Sequence, residues 1–160
     1  TNLDNISYPN WSPDGTHIAV AATNGTGSSQ NRDIYTINLT DSTVRQLTFA
    51  PSFDNYPSWS PDGRYIAYES RGVATHPNRQ IYVMNTDGTD STRLTNNSTE
   101  DGSPSWSPDG KRIAFSKSFT RSSGQTYFEI YTMAADGSVQ TRVTFTPDER
   151  GVSNGFPSWR

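Results

Sequence analysis

One heptapeptide is written three times in this chain and begun a fourth. It reads Pro9-Asn10-Trp11-Ser12-Pro13-Asp14-Gly15, then Pro57-Ser58-Trp59-Ser60-Pro61-Asp62-Gly63, then Pro104-Ser105-Trp106-Ser107-Pro108-Asp109-Gly110. A fourth copy, Pro157-Ser158-Trp159, is followed by Arg160 where the others have Ser. The Trp residues recur every 47 to 53 positions. A period of that length marks a supersecondary unit that stacks on copies of itself. Within the unit, Ser-Pro-Asp-Gly specifies a tight turn. Pro presets φ near −65°, the Asp carboxylate caps the turn, and Gly takes the position with positive φ.

What flanks each turn is strand sequence. Ahead of it a short extended run ends at Trp. After it come His17-Ile18-Ala19-Val20-Ala21, Tyr65-Ile66-Ala67-Tyr68-Glu69 and Arg112-Ile113-Ala114-Phe115-Ser116. Their β-branched, aromatic and small residues suit a strand covered on both faces. A polar loop follows, then a third strand: Asp33-Ile34-Tyr35-Thr36-Ile37, Gln80-Ile81-Tyr82-Val83-Met84 or Glu129-Ile130-Tyr131-Thr132-Met133. Asp87-Gly88 and Asp136-Gly137 turn the second and third copies into a short fourth strand ending Arg93-Leu94-Thr95 or Arg142-Val143-Thr144. The first copy ends Gln46-Leu47-Thr48 and has Thr40-Asp41-Ser42-Thr43 in place of Asp-Gly. Four antiparallel strands per repeat make a β-propeller blade. The expected fold is all-β. Blades span 6–48, 55–95 and 102–144, and a lone inner strand spans 156–159.

The order Trp-Ser-Pro-Asp-Gly-x-x-Ile-Ala-Tyr/Phe, Ile-Tyr-x-Met, Asp-Gly, Arg-Leu-Thr resembles the TolB-like propeller repeat. The resemblance covers essentially the whole chain. It implies a six-bladed ring in the periplasm, with protein partners docking on a propeller face and at the channel mouth. It also admits a fragment of the gating propeller of a peptidase resembling prolyl oligopeptidase or the tricorn protease. A third possibility is a structural unit that assembles into rings or filaments through its open blade faces.

The number of repeats then matters. A closed propeller has at least about four blades, so three form an arc. Each end of the arc bares a blade face that is apolar because it is built to pack, and a soluble monomer rarely exposes so much. Blades from a longer parent chain, or a second copy making a homo-oligomer, must cover these faces. Two copies would supply six blades. A compact, soluble monomer of 17.7 kDa would count against both arrangements.

Composition excludes other classes. Charged residues make up 18% and the net charge is −3, with no Lys/Arg run, so nucleic acid is not an expected partner. No apolar run approaches the ~18 residues of a membrane span. Cys is absent, which rules out disulfide and thiol chemistry. Arg outnumbers Lys, and Asn, Ser and Thr are abundant, which fits a periplasmic or extracellular home. The chain opens at Thr1 without Met or a signal peptide, as a processed or trimmed product would.

A residue that repeats once per blade keeps the fold, whereas a catalytic residue is normally unique. Asp14, Asp62 and Asp109 occur once per blade, so they read as turn caps rather than acids or metal ligands. The Trp residues read as packing between blades. His17 and His76 lack metal-ligand spacing. Glu69, Arg71, Lys117 and Glu129 are linked by no pattern. No nucleophile elbow, phosphate loop or His-Glu-x-x-His occurs, so no catalytic residue, metal or cofactor is expected. Asn-x-Ser/Thr triplets at Asn5, Asn24, Asn38, Asn96 and Asn97 are as expected by chance as by glycosylation. The remaining candidates are the polar residues that lead into each inner strand: Asp4 and Asn5, Asp54 and Asn55, Glu100 and Asp101, with Ser153 and Asn154 weaker. Their place predicts an acidic rim at the channel mouth, able to contact a cation or a basic segment of a partner.

Overall fold

The computed structural model describes residues 3–23, 31–71, 77–145 and 155–159. Three four-stranded antiparallel sheets follow one another along the chain. Blade 1 holds β1 (Asp4–Trp11), β2 (His17–Thr23), β3 (Asp33–Asn38) and β4 (Val44–Gln46). Blade 2 holds β5 (Phe53–Trp59), β6 (Tyr65–Arg71), β7 (Arg79–Asn85) and β8 (Thr92–Arg93). Blade 3 holds β9 (Asp101–Trp106), β10 (Arg112–Thr120), β11 (Thr126–Ala134) and β12 (Thr141–Arg142). In each sheet the strands pair in chain order, so β1, β5 and β9 are the inner strands. The expected all-β partial propeller is what the chain forms.

The Ser-Pro-Asp-Gly turns are three copies of one hydrogen-bonded device. Ser12 Oγ donates to Asp14 Oδ1 at 2.6 Å and accepts the His17 amide at 2.9 Å, while Asp14 also accepts the Thr16 amide. Ser60 with Asp62, and Ser107 with Asp109, do the same. The Ser hydroxyl is the main reason that the Asp14 carboxyl is pulled down to about 2, and Asp62 and Asp109 move the same way. These carboxylates are committed to the turns.

Two cores lie between blades, and a third, of Val20, Ala22 and Tyr35 with Leu3, Ile18, Ile37 and Val44, lies on blade 1 itself. In the first, Ala19, Ala21, Ile34 and Leu47 of blade 1 meet Ile66, Tyr68 and Met84 of blade 2, flanked by Trp59 and Tyr82. In the second, Ala67, Ile81 and Leu94 of blade 2 meet Ile113, Phe115 and Met133 of blade 3, flanked by Trp106 and Tyr131. The repeat therefore has two unlike faces. Its trailing face, toward the next blade, carries Ala, Ile and Leu. Its leading face, toward the previous one, carries Trp, Ile, an aromatic ring and Met. Trp11, the corresponding residue of blade 1, is 60% exposed.

Residues 156–159 form no strand, in contrast to the lone inner strand expected there. Among the described residues no strand pairs with Phe156 to Trp159. The segment still lies beside blade 3, where Trp159 Nε1 donates to the Ser105 carbonyl at 3.0 Å. His76, Asn24, Ser153 and Asn154 lie outside the described residues.

Buried acids give the fold a defined pH response. Burial, reinforced by the Asp54 charge, pushes the Asp33 carboxyl up to about 6, and burial raises Asp54, Glu69 and Asp101. A raised acid binds its proton more tightly when folded, so this contribution weakens stability as pH climbs from about 4 through 6. The turn aspartates are shifted downward and lose their contribution as pH falls from about 4 toward 2. Urea midpoints measured from pH 2 to 8 should therefore peak near pH 4–5. Asp33→Asn should flatten the decline between about 4 and 6.

Candidate functional site

The inner strands share a kink. Pro lacks an amide hydrogen and is accommodated in a strand at a bulge. In β1, β5 and β9 the register slips at Pro9, Pro57 and Pro104. The residue before each Pro sits in the left-handed region: Tyr8 at φ 57°, Tyr56 at 51°, Ser103 at 53°, and, before Pro157, Phe156 at 49°. Such backbone is costly for a side-chain-bearing residue. Here it is set by the repeat and turns three aromatic rings toward one another.

Tyr8 and Tyr56 stack with centroids 3.8 Å apart, and Phe156 meets Tyr56 at 5.6 Å. The Arg32 guanidinium lies 5.4 Å from the Tyr8 ring centre and donates to the carbonyls of Asn5 and Ala21. Burial and the neighbouring Tyr8 hydroxyl raise the Tyr56 phenol above its ordinary range. Blade 3 has Ser103 at this position, which leaves room beside Tyr56.

That room is a cleft of about 370 Å³, lined by Tyr56, Phe128 and Phe156 and by Glu69, Arg79 and Glu100. Glu69 is only 1% exposed. Its Oε2 accepts the Ser103 amide at 3.0 Å, and its Oε1 is 3.6 Å from Arg79 Nη1. Arg79 Nε reaches Glu100 at 3.0 Å. Gly102 makes this possible, since a Cβ there would stand 2.3 Å from Glu69 Oε2. Burial raises the Glu69 carboxyl and Arg79 opposes that rise. Two carboxylates thus share one guanidinium.

The expected acidic rim needs correction at two of its acids. Asp54 is 2% exposed and Asp101 0%. Asp54 accepts from Ser52 and Ser70 at 2.9 and 2.6 Å. Asp101 accepts from Asn97 at 2.7 Å and lies 3.7 Å from Lys117 Nζ. Both are internal anchors, five residues ahead of Trp, and they face hydroxyls of the preceding blade. The blade 1 residue in that register is Ile6, so Asp4 is not their counterpart. Asp4 and Asn5 are exposed at the start of β1, and Asn55 and Glu100 are half-buried. Of the six, the cleft takes Glu100, with Asp101 behind it.

Sequence reading missed a further repeated position. Asp33, Gln80 and Glu129 each precede the Ile-Tyr pair of the third strand and are buried. Asp33 accepts from Thr48 and Gln46, Gln80 donates to the carbonyls of Asn97 and Thr99, and Glu129 pairs with Arg142 at 3.0 Å and bonds Thr144. Thr48, Thr95 and Thr144 each accept the amide of the following third-strand Ile. The recurrence of a polar residue before Ile-Tyr was the available signal. His17 bonds Thr16 at 2.7 Å and lies near Trp59.

No protein-family model and no curated protein matches the sequence. Solved structures do. TolB from Acinetobacter baumannii is 26% identical with a TM-score of 0.71, over 97% of this chain and 35% of that one. A TolB protein from Agrobacterium tumefaciens is 23% identical with a TM-score of 0.75, over 89% of this chain and 50% of that one. The tricorn protease is 15% identical with a TM-score of 0.61, over 84% of this chain and 14% of that one. The chain spans half or less of the length of each.

Proposed function

We propose that this segment of a TolB-like β-propeller is a non-catalytic binding module. It takes a basic segment of a protein partner in the cleft between blades 2 and 3. The observation that carries this reading is the cleft wall. Tyr56 and Phe156 offer aromatic faces, and Glu69 and Glu100 together outweigh the single charge of Arg79. Aromatic faces and excess carboxylate favour a cationic side chain with an apolar stem. Asp4 lies outside the cleft and adds long-range attraction at most. A periplasmic or extracellular setting follows from the resemblance to TolB and fits the polar composition.

The test is calorimetric titration with short peptides matched in length and differing in net charge. Lys- or Arg-bearing peptides should bind, and Glu100→Lys should weaken them at least about tenfold, equivalent to about 1.4 kcal/mol. Tyr56→Ala should do the same while strand circular dichroism is retained. Equal affinity for acidic and basic peptides, or no binding at all, would remove the proposal.

The second reading is a gating propeller of a peptidase, supported by the likeness to the tricorn protease. A nucleophile elbow encoded elsewhere in the parent gene would favour it. Fold alone does not decide between them.

A further inference from the structure

The two interfaces between blades repeat position by position, but their buried charges differ. In blade 3, Asp101 pairs across the sheet with Lys117. The Lys117 ammonium lies 3.7 Å from Asp101 Oδ1 and 5.5 Å from the centre of the Tyr131 ring, on a side chain only 15% exposed. In blade 2 the pair in that register is Asp54 with Ser70. Tyr82 holds the position of Tyr131, each paired with the Arg of its fourth strand. Blade 2 thus keeps the acid and the ring, and a hydroxyl stands in place of the amine.

The smaller side chains leave space. Where Asn97 donates to Asp101 Oδ2 at 2.7 Å, the first interface has Ala50. With Ser for Lys and Ala for Asn, a pocket of about 380 Å³ opens between blades 1 and 2. Asp54, Ser70 and Ala50 line it, with Phe49, Tyr68 and Tyr82 as aromatic walls. Asp54 is 2% exposed, and its carboxylate is bonded by the Ser52, Ser70 and Thr48 hydroxyls. Asp33 stands close enough for the two acids to repel. Among the described residues no Lys or Arg pairs with either of them. A buried carboxylate without a counter-charge is costly. The neighbouring blade shows which group relieves that cost in this frame: an ammonium on an apolar stem.

We infer that the pocket between blades 1 and 2 binds a small primary amine. Its ammonium sits where Lys117 Nζ sits in blade 3, against Asp54 and over the Tyr82 ring, and its stem lies along Phe49 and Tyr68. The volume is that of a small-molecule pocket, and Leu47 and Met84 of the first core also line it. Aromatic walls around a carboxylate favour a cation with an apolar body. The pocket shares no lining residue with the cleft between blades 2 and 3, so the inference stands whether or not that cleft takes a peptide.

Titration of the whole chain with 2-phenylethylamine, followed by the amide resonances of β5 and β6, tests this. The neutral isostere 2-phenylethanol is the control. The amine should bind at least about tenfold more tightly than the alcohol. Asp54→Asn keeps the shape and removes the charge. It should weaken the amine at least about tenfold and leave the alcohol unchanged. Ser70→Lys rebuilds the blade 3 arrangement inside blade 2. It should abolish amine binding and raise the urea midpoint, because the new ammonium reaches Asp54. If Asp54→Asn fails to fold, Ser70→Lys decides alone. A lowered midpoint or an unfolded Ser70→Lys chain would mean that the site rejects an ammonium, and would overturn the inference. So would equal binding of amine and alcohol, or no binding of the amine to wild type. A Lys-bearing peptide that binds at Asp54 while the free amine does not would overturn it as well, by assigning the pocket to a protein partner.

Discussion

Phe115→Ala is expected to destabilise the chain by about 3–5 kcal/mol, the usual cost of emptying a large aromatic position in a core. Phe115 is fully buried at the second interface, among Ala67 and Ile81 of blade 2 and Ile113 and Met133 of its own blade. The small Ala67 leaves the space that the ring fills, so neighbouring backbone has little freedom to collapse inward. Total stabilities of small domains are only about 5–15 kcal/mol, so this one change removes a large share. The control is the Trp position of the same repeat in blade 1, where the ring is 60% exposed. Trp11→Ala should cost below about 1 kcal/mol, whereas Trp59→Ala, packed against the first core, should cost about 3 kcal/mol. Urea midpoints on the three variants give the comparison. Equal losses at Trp11 and Trp59 would mean that the leading face of blade 1 is covered in solution.

Gly88→Ala is expected to cost about 3 kcal/mol, because two penalties fall at one residue. Its φ of 84° belongs to the left-handed region, which costs an L-residue roughly 1–2 kcal/mol. The added methyl would also meet the Leu47 carbonyl of the preceding blade. That atom is backbone, so relief requires separating the two blades. Gly15 has nearly the same backbone, at φ 71°, but nothing lies near its added carbon. Gly15→Ala should therefore cost only about 1 kcal/mol. Thermal unfolding of the two variants measures the interface term as a difference, free of the backbone term they share.

How far this was legible in the sequence depends on the period of each feature. Strands, turns and the number of blades were readable because Trp, Ser-Pro-Asp-Gly and Ile-Tyr recur in fixed order. The absence of Asp-Gly from the first repeat was visible too, but its meaning was not. It needed the 2.8 Å approach of Gly88 and Gly137 to the preceding blade. The site was read less well. Asp54 and Asp101 looked like rim residues because acids near loops are usually solvated. Register counted from Trp would have aligned them with Ile6 rather than Asp4. The aromatic cluster was hidden for another reason. Tyr8, Tyr56 and Phe156 precede Pro, and a simple alternation of strand faces does not foretell that a bulge with positive φ brings their rings together.

Native-state hydrogen exchange tests the central claim, that these blades are wedges held by the cores between them and that the middle blade shares one core with each neighbour. The amides of β6 and β7 should exchange most slowly, with β2, β3, β10 and β11 faster by an order of magnitude or more, as local opening of end blades that share only one inter-blade core requires. Equal protection across all three blades would contradict the account.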